Sequence, residues 1–273
     1  MTHAPFLKTG LFLPVANHGW VMSLSAPEDP ATFDLNVGLT RRAESMGMDV
    51  VLCQSVWRGH GGPSRFWEDS LEGFTLAAAL AGATSRITVV PSVMPLLYGP
   101  PVVAKMMATL DEISGGRVAM NVVVGANLAE YEQMGVLPDD WPRVKYDYAA
   151  EWLTVVKRLW AEERVTHHGR WFDLEDCACG PKPLQRPTPP VLCAGSSPAG
   201  MAFTSRHATH GFVERADAVG DGAAGHRVQG RGHRRRASAG GAHGDDARAG
   251  ADARRVGGAH RRAGGDPRPR RRA

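Results

Sequence analysis

The chain has 273 residues, 43% hydrophobic and 22% charged, with a formal net charge of +4 and an isoelectric point near 9.0. The basic excess is uneven: residues 214–273 carry 15 Arg against six Asp and one Glu, a net of +8, which leaves −4 for the first 213 residues. A phosphate-neutralising basic face is therefore not a property of the body of the chain. No apolar run reaches the roughly 18 residues of a membrane span and no basic-then-apolar leader opens the sequence, so a cytoplasmic location without a membrane partner is expected.

Short β-branched runs followed by helical patterns recur along the body. The first is Gly10-Leu-Phe-Leu-Pro14, which leads through a loop holding Asn17, His18, Gly19 and Trp20 to a helix predicted from about Thr32 to Met46. Val50-Val-Leu-Cys53 is the second strand; after a glycine-rich loop its helix runs from about Leu71 to Thr84. The third, Ile87 to Ser92, precedes a helix opened by Pro100-Pro101 and stopped after Ile113 by Ser114-Gly115-Gly116, a helix stop and turn. The fourth strand is Val118 to Val124; an irregular connection through Pro138 and Pro142 then leads to a helix over Tyr146 to Trp160. A loop with Trp171, Phe172 and several prolines precedes the fifth strand, Val191 to Ala194, and a helix from Pro198 to Arg206 leads to a sixth, His210 to Val213.

There the rhythm stops. Residues 214–273 hold 15 Arg, 14 Ala and 13 Gly, and no Leu, Ile, Met, Phe, Tyr, Trp or Lys. A segment with so little to bury cannot offset the entropy of ordering its backbone, so a disordered tail is expected. Arg could bind nucleic acid through counterion release, but the tail has no aromatic side chain to stack on bases, and a nucleic-acid partner is not expected. Ala, Gly and Arg all have GC-rich codons, and the abrupt change suggests an out-of-frame translation after about Val213.

Five to six βα units in one order are α/β and predict an incomplete (β/α)8 TIM-type barrel over 1–213. The rival, a doubly wound sheet, usually carries a GxGxxG turn after its first strand, and Gly10 to Gly19 offers none. In a barrel the loops beyond the C-terminal strand ends line the site, which nominates Asn17 to Trp20, Cys53 to His60, Ser92 to Tyr98, Asn121 to Glu130 and Gly195 to Ser197. Trp20 and Trp57 could equally cap the barrel mouth, and His60 could be a solvated loop residue. Cys53, Cys177, Cys179 and Cys193 fit no zinc spacing, so no metal is expected.

Several strings together resemble the bacterial-luciferase-like flavin monooxygenases. Ala108-Thr-Leu-Asp-Glu-Ile-Ser-Gly-Gly-Arg117, followed by Asn121 and Val-Val-Val-Gly125, is similar to that family's helix-turn-strand passage. Asn17-His-Gly-Trp20, Arg58-Gly-His-Gly-Gly62, Glu130-Tyr-Glu-Gln-Met-Gly135 and Cys193-Ala-Gly-Ser-Ser-Pro-Ala-Gly-Met-Ala-Phe203 resemble its pyrimidine-oxidising members, in order from about Thr9 to Val213.

The resemblance implies a barrel enzyme that takes reduced FMN from a separate NAD(P)H-dependent flavin reductase and uses molecular oxygen, through a flavin peroxide, to oxygenate a small substrate. A pyrimidine such as uracil, with ring opening, is the substrate implied. The cofactor carries the difficult chemistry, which accounts for a sequence without a catalytic triad or metal cluster. Carried over by position, Ser55 and Val56 would lie along the isoalloxazine through their backbone, and Asn121 would meet the ring edge. Glu130 would bond the flavin or its ribityl chain, and Lys145 and Tyr146 with Ser197 would hold the phosphate. Trp20, Arg58 and His60 would neighbour the substrate; no catalytic proton donor is identified. A homo-oligomer is compatible with this reading.

Two departures bear on substrate. Val124-Gly125-Ala126 stands where the pyrimidine-oxidising members have Thr-Gly-Trp, and the loop Cys53-Gln-Ser-Val-Trp-Arg58 differs at several positions. Alkanesulfonate- or sulfone-type oxygenation, a deazaflavin-dependent reductase on the same barrel, and a catalytically dead truncated product are the alternatives.

Overall fold

The β-branched runs pair side by side in the order in which the chain makes them. The computed structural model describes residues 8–27, 29–125, 127–213 and 227–230, all within one compact unit, Met1–Gly232. β1 (Gly10–Phe12), β2 (Val50–Cys53), β3 (Thr88–Val93), β4 (Met120–Val122), β7 (Val191–Ala194) and β8 (His210–Val213) follow one another across one curled parallel sheet. Each crossover but one carries a single helix on the outer face: α1 (Phe33–Ser45), α2 (Gly73–Gly82), α3 (Pro100–Ser114) and α6 (Pro198–His207). The crossover from β4 to β7 is longer and holds α4 (Leu128–Gln133), α5 (Trp141–Ala161) and an antiparallel hairpin, β5 (Arg164–His168) with β6 (Asp173–Ala178). The result is an open α/β half-barrel, the fold expected from the sequence.

Alternation along the strands sorts the side chains into two layers. Val51, Cys53, Val89, Met120, Val122, Val191 and Cys193 join the large core beneath the helices, with Trp152, Leu153, Val156 and Met107 from the helical side. The intervening Leu52, Val90, Ala119 and Leu192 form a separate small cluster on the concave face, flanked by Phe12 and Val50.

Local chemistry sets the helix ends. Thr32 caps α1, its hydroxyl accepting from Leu35 N–H, and Glu72 caps α2, accepting from Phe74 and Thr75 N–H. Gly115, at φ +63°, ends α3 in the left-handed conformation that glycine adopts without a Cβ clash. Arg117 explains the rest of that turn: its guanidinium donates to the carbonyls of Ala81 and Thr84, orphan acceptors at and just beyond the end of α2, and to that of Ile87 just before β3.

Two expectations need correction. The β5–β6 hairpin occupies what reads as a loop around Trp171 and Phe172; α5 grips it through Glu151, which accepts from Arg170, Trp171 and Phe172 N–H and from His167 Nε2. Those bonds hold the Glu151 carboxyl below its ordinary pKa although partial burial opposes them. The second correction is the start of α5, at Trp141 rather than Tyr146, because Pro142 sits in the first turn, where its missing N–H costs nothing. Within the tail, the described residues Arg227–Gly230 pair antiparallel to β8 as β9, a pairing along a sheet edge that requires no apolar side chains. The remainder of the expected disordered tail lies outside the described residues, as does Ala126.

Candidate functional site

The C-terminal strand ends carry polar side chains on the concave face. Ser92 and Asn121 are register partners across β3 and β4, and Asn121 Nδ2 donates to Ser92 Oγ at 2.9 Å. Asn121 is 5% exposed and Gln54, immediately beyond β2, is 6% exposed. Neither is fully satisfied: Asn121 Oδ1 and Gln54 Nε2 are buried without a hydrogen-bond partner. A buried amide left half-paired costs roughly 1–3 kcal/mol, so an arrangement of this kind calls for an occupant.

A second group of donors gathers at the start of α6. Ser197 is its N-cap, accepting from Gly200 N–H at 3.1 Å, and its Oγ lies 3.3 Å from the hydroxyl of Tyr146 on α5. Lys145 Nζ sits 5.3 Å from the Tyr146 ring centroid. The approach depends on glycine, since a Cβ on Gly200 would stand 2.8 Å from Tyr146 OH and 3.0 Å from Gly195 Cα. Two hydroxyls, a cation and the first N–H groups of a helix form a donor set suited to a phosphate. Because β7 neighbours β4, with Leu192 opposite Asn121, this donor set lies just beyond the strand next to the Asn121 amide.

The loop after β2 is held by α4. Glu130 Oε1 accepts from Trp57 N–H at 2.8 Å, Gln133 Nε2 donates to Trp57 O at 2.6 Å and Asn127 Nδ2 to Arg58 O at 3.4 Å. Burial pushes the Glu130 carboxyl above its ordinary value, partly offset by the N–H groups of Trp57 and Arg58 and by His60. Glu130 thus serves this loop directly. Ser55 accepts from Trp57 Nε1 at 2.9 Å, and Val56 O accepts from Ser70 Oγ at 2.8 Å. A cleft of about 390 Å³ beside this loop is lined by Glu68, Asp69 and Glu72 with Val56, Trp57 and Ser70; its acids repel an anion, so the phosphate donors at α6 are the better match for one.

Trp20 and His60 meet through a third ring. Trp67 lies 5.3 Å from Trp20 and 5.5 Å from His60, centroid to centroid, with Phe12 and Phe66 completing the cluster at 4.6 Å from Trp20 and Trp67 respectively. Trp20 is 48% exposed, so the cluster offers an aromatic face at the strand ends of β1 and β2. Arg58 joins the site through its backbone, its carbonyl accepting from Asn127 Nδ2 and its N–H facing the Glu130 carboxyl.

The structure therefore unites Lys145, Tyr146 and Ser197, and separately Ser55, Val56, Arg58 and Glu130. Asn121 stands on the strand between these two groups. Sequence reasoning missed Gln54 and Ser92 as individual site residues; their signal was a polar residue two positions beyond Leu52 and Val90 on strands otherwise apolar. Among the described residues no group of three His, Cys, Asp or Glu could hold a metal, and no helix is long and apolar enough to cross a membrane.

The family model for luciferase-like monooxygenases matches residues 7–255. The pyrimidine monooxygenase RutA of Pantoea ananatis (strain LMG 20103) is 42% identical over 207 residues, 76% of this chain and 56% of that protein. The protein of the same name from Escherichia coli (strain SMS-3-5 / SECEC) matches to the same extent, 42% over 207 residues. The chain thus spans about half the length of the curated relatives it matches, 56%. Among solved structures, riboflavin lyase RcaE, crystallised with modified FMN and riboflavin, superposes with a TM-score of 0.65 at 24% identity, covering 77% of this chain and 55% of that one. The long-chain alkane monooxygenase LadA gives 0.65 at 20% identity, covering 78% and 57%. At these identities the structural likeness concerns the fold.

Proposed function

The chain belongs to the luciferase-like monooxygenase family, and we propose that it acts as a reduced-FMN-dependent monooxygenase on a small organic substrate, with a pyrimidine such as uracil, opened in the reaction, as the substrate favoured. The single observation that carries the cofactor assignment is the Tyr146–Ser197 hydroxyl pair at the start of α6 beside Lys145, one strand from the half-paired Asn121 amide. These residues fit FMN at both ends: donors of phosphate-binding character, and an unpaired acceptor for a ring N–H.

When bound, reduced FMN supplies the electrons and the site of dioxygen activation. The chain's own residues have simpler tasks. Tyr146, Ser197 and Lys145 would hold the phosphate; lysine there provides charge without arginine's two-pronged geometry. Asn121, steadied by Ser92, would orient the ring, and Ser55 and Val56 would lie along it through their backbone. Glu130 fixes the loop that carries them. Trp20, His60 and Trp67 offer apolar faces that exclude water from a planar substrate. Electrons would reach the flavin from NAD(P)H through a separate flavin reductase.

The substrate assignment rests on the 42% identity to the pyrimidine monooxygenases. Val124 and Gly125 instead of a hydroxyl-bearing turn give the rival, an alkanesulfonate or sulfone, its support. Anaerobic titration with reduced FMN followed by oxygen and product analysis with uracil or an alkanesulfonate tests both. A ring-opened ureido acid supports the pyrimidine reading, and sulfite release replaces it with the rival. Failure to bind FMN overturns the function.

A further inference from the structure

The geometry points to Gln54 as a ring-reading residue: with Asn121 it forms a donor–acceptor pair that recognises the edge of a cyclic imide, the C(=O)–NH–C(=O) unit of a pyrimidinedione ring. This rests on the proposed flavin-dependent reading and extends it to a residue that the resemblance leaves without a role. The imide edge occurs in the flavin's own pyrimidine ring and in a uracil-type substrate, and either would present the same chemistry.

The placement follows from register. Cys53 on β2 is opposite Pro91 on β3, so the next residues, Gln54 and Ser92, continue the row, and Ser92 is opposite Asn121 on β4. All three lie in the alternation of Leu52, Val90 and Ala119, the concave-face cluster, rather than that of Val51, Cys53 and Met120 beneath the helices. Gly73, at the start of α2, sits against this row, where a Cβ would meet Gln54 O at 3.2 Å and Ser92 O at 3.7 Å. The strand ends are thereby closed from the helical side, and the amides are left to face the barrel axis.

The unpaired atoms are complementary in kind. Gln54 Nε2 is a donor and Asn121 Oδ1 an acceptor, both buried without partners, on residues 6% and 5% exposed. An imide edge offers what they lack: a carbonyl oxygen for the glutamine N–H and a ring N–H for the asparagine oxygen. The Ser92 bond to Asn121 Nδ2 holds the asparagine with its oxygen turned away from Ser92. A site built to pair such groups discriminates steeply against a ligand that lacks them, because the buried atoms are then left unpaired again.

The test compares wild type with Gln54→Met, which keeps chain length and volume, and with Gln54→Glu, which replaces the donor by an acceptor. Thermal melting establishes that each variant folds. Fluorescence titration with FMN and with N3-methyl-FMN reads the flavin arm; equilibrium binding of uracil and 3-methyluracil to FMN-loaded protein reads the substrate arm. In one arm, N3-methylation is expected to weaken wild-type binding about tenfold or more, and Gln54→Met to weaken binding of the unmethylated ligand by about tenfold, with Gln54→Glu at least as damaging. The arm that responds identifies which ring is read. If wild type binds FMN while both Gln54 variants stay within about twofold of it in both arms, the pairing is overturned and the flavin reading stands. If wild type binds no FMN, the flavin reading falls and the pairing with it.

Discussion

Replacing Tyr146 by Phe separates the two ends of the proposed cofactor site. The variant removes one hydroxyl and leaves the ring, which packs 5.7 Å from Phe203, centroid to centroid. The hydroxyl bonds Ser197 Oγ at 3.3 Å, a long bond in an exposed setting, so its loss should cost about 0.5 kcal/mol of stability and lower the melting temperature by roughly 1–2 °C. A hydrogen bond to a doubly charged phosphate is worth more, about 1.5–3 kcal/mol, or about 10- to 100-fold in affinity. Flavin fluorescence quenching, with FMN and riboflavin titrated in parallel, reads the difference. FMN affinity should fall by that factor while riboflavin affinity stays unchanged, because riboflavin lacks the phosphate. Equal losses for both ligands would place Tyr146 at the ring system instead, and no loss for either would remove it from the site.

Further outcomes follow from neighbouring features. Gly200→Ala should lower unfolding free energy by about 1–3 kcal/mol, read from the urea midpoint, because the new Cβ would meet Gly195 Cα at 3.0 Å and Ser197 Oγ at 3.1 Å. Glu130 gives a pH signature. Its folded pKa is raised from 4.5 chiefly by burial, so the folded state binds the proton more tightly, and the stability this provides is fully present below 4.5 and lost as pH rises through the folded value. Unfolding free energy should therefore fall more steeply above pH 4.5 in wild type than in Glu130→Gln, and equal slopes would refute the assignment. Burial pushes the thiols of Cys53 and Cys193 up to about 12; at pH 8 a thiol reagent should modify the half-buried Cys177 first and reach those two only on unfolding.

Much of the architecture is legible because buried parallel strands are apolar along their whole length. Val50–Cys53 and Val191–Ala194 lie where their β-branched and apolar content places them. The hairpin β5–β6 was opaque for the opposite reason: apart from Val165 its side chains are exposed or half-buried, so no alternation marks it, and Glu151, far back in the chain, holds it by backbone bonds. α4 has six residues, too few for a helical period to emerge. In the site, Ser197 as a helix cap is readable locally, whereas its meeting with Tyr146 spans 51 positions and no local pattern encodes it. Gln54 was hidden by its position at a strand end, where a polar side chain reads as the beginning of a loop.

The grip of α4 on the β2 loop has an evolutionary corollary. Glu130 and Gln133 hold the N–H and the carbonyl of Trp57, and Asn127 the carbonyl of Arg58, so two loops from non-adjacent strands form one mechanical unit. Residues sharing such a network contribute non-additively when altered together. A lineage drifting toward a new substrate could not retune one loop and leave the other unchanged; paired replacements, each harmful alone, would be the accessible route.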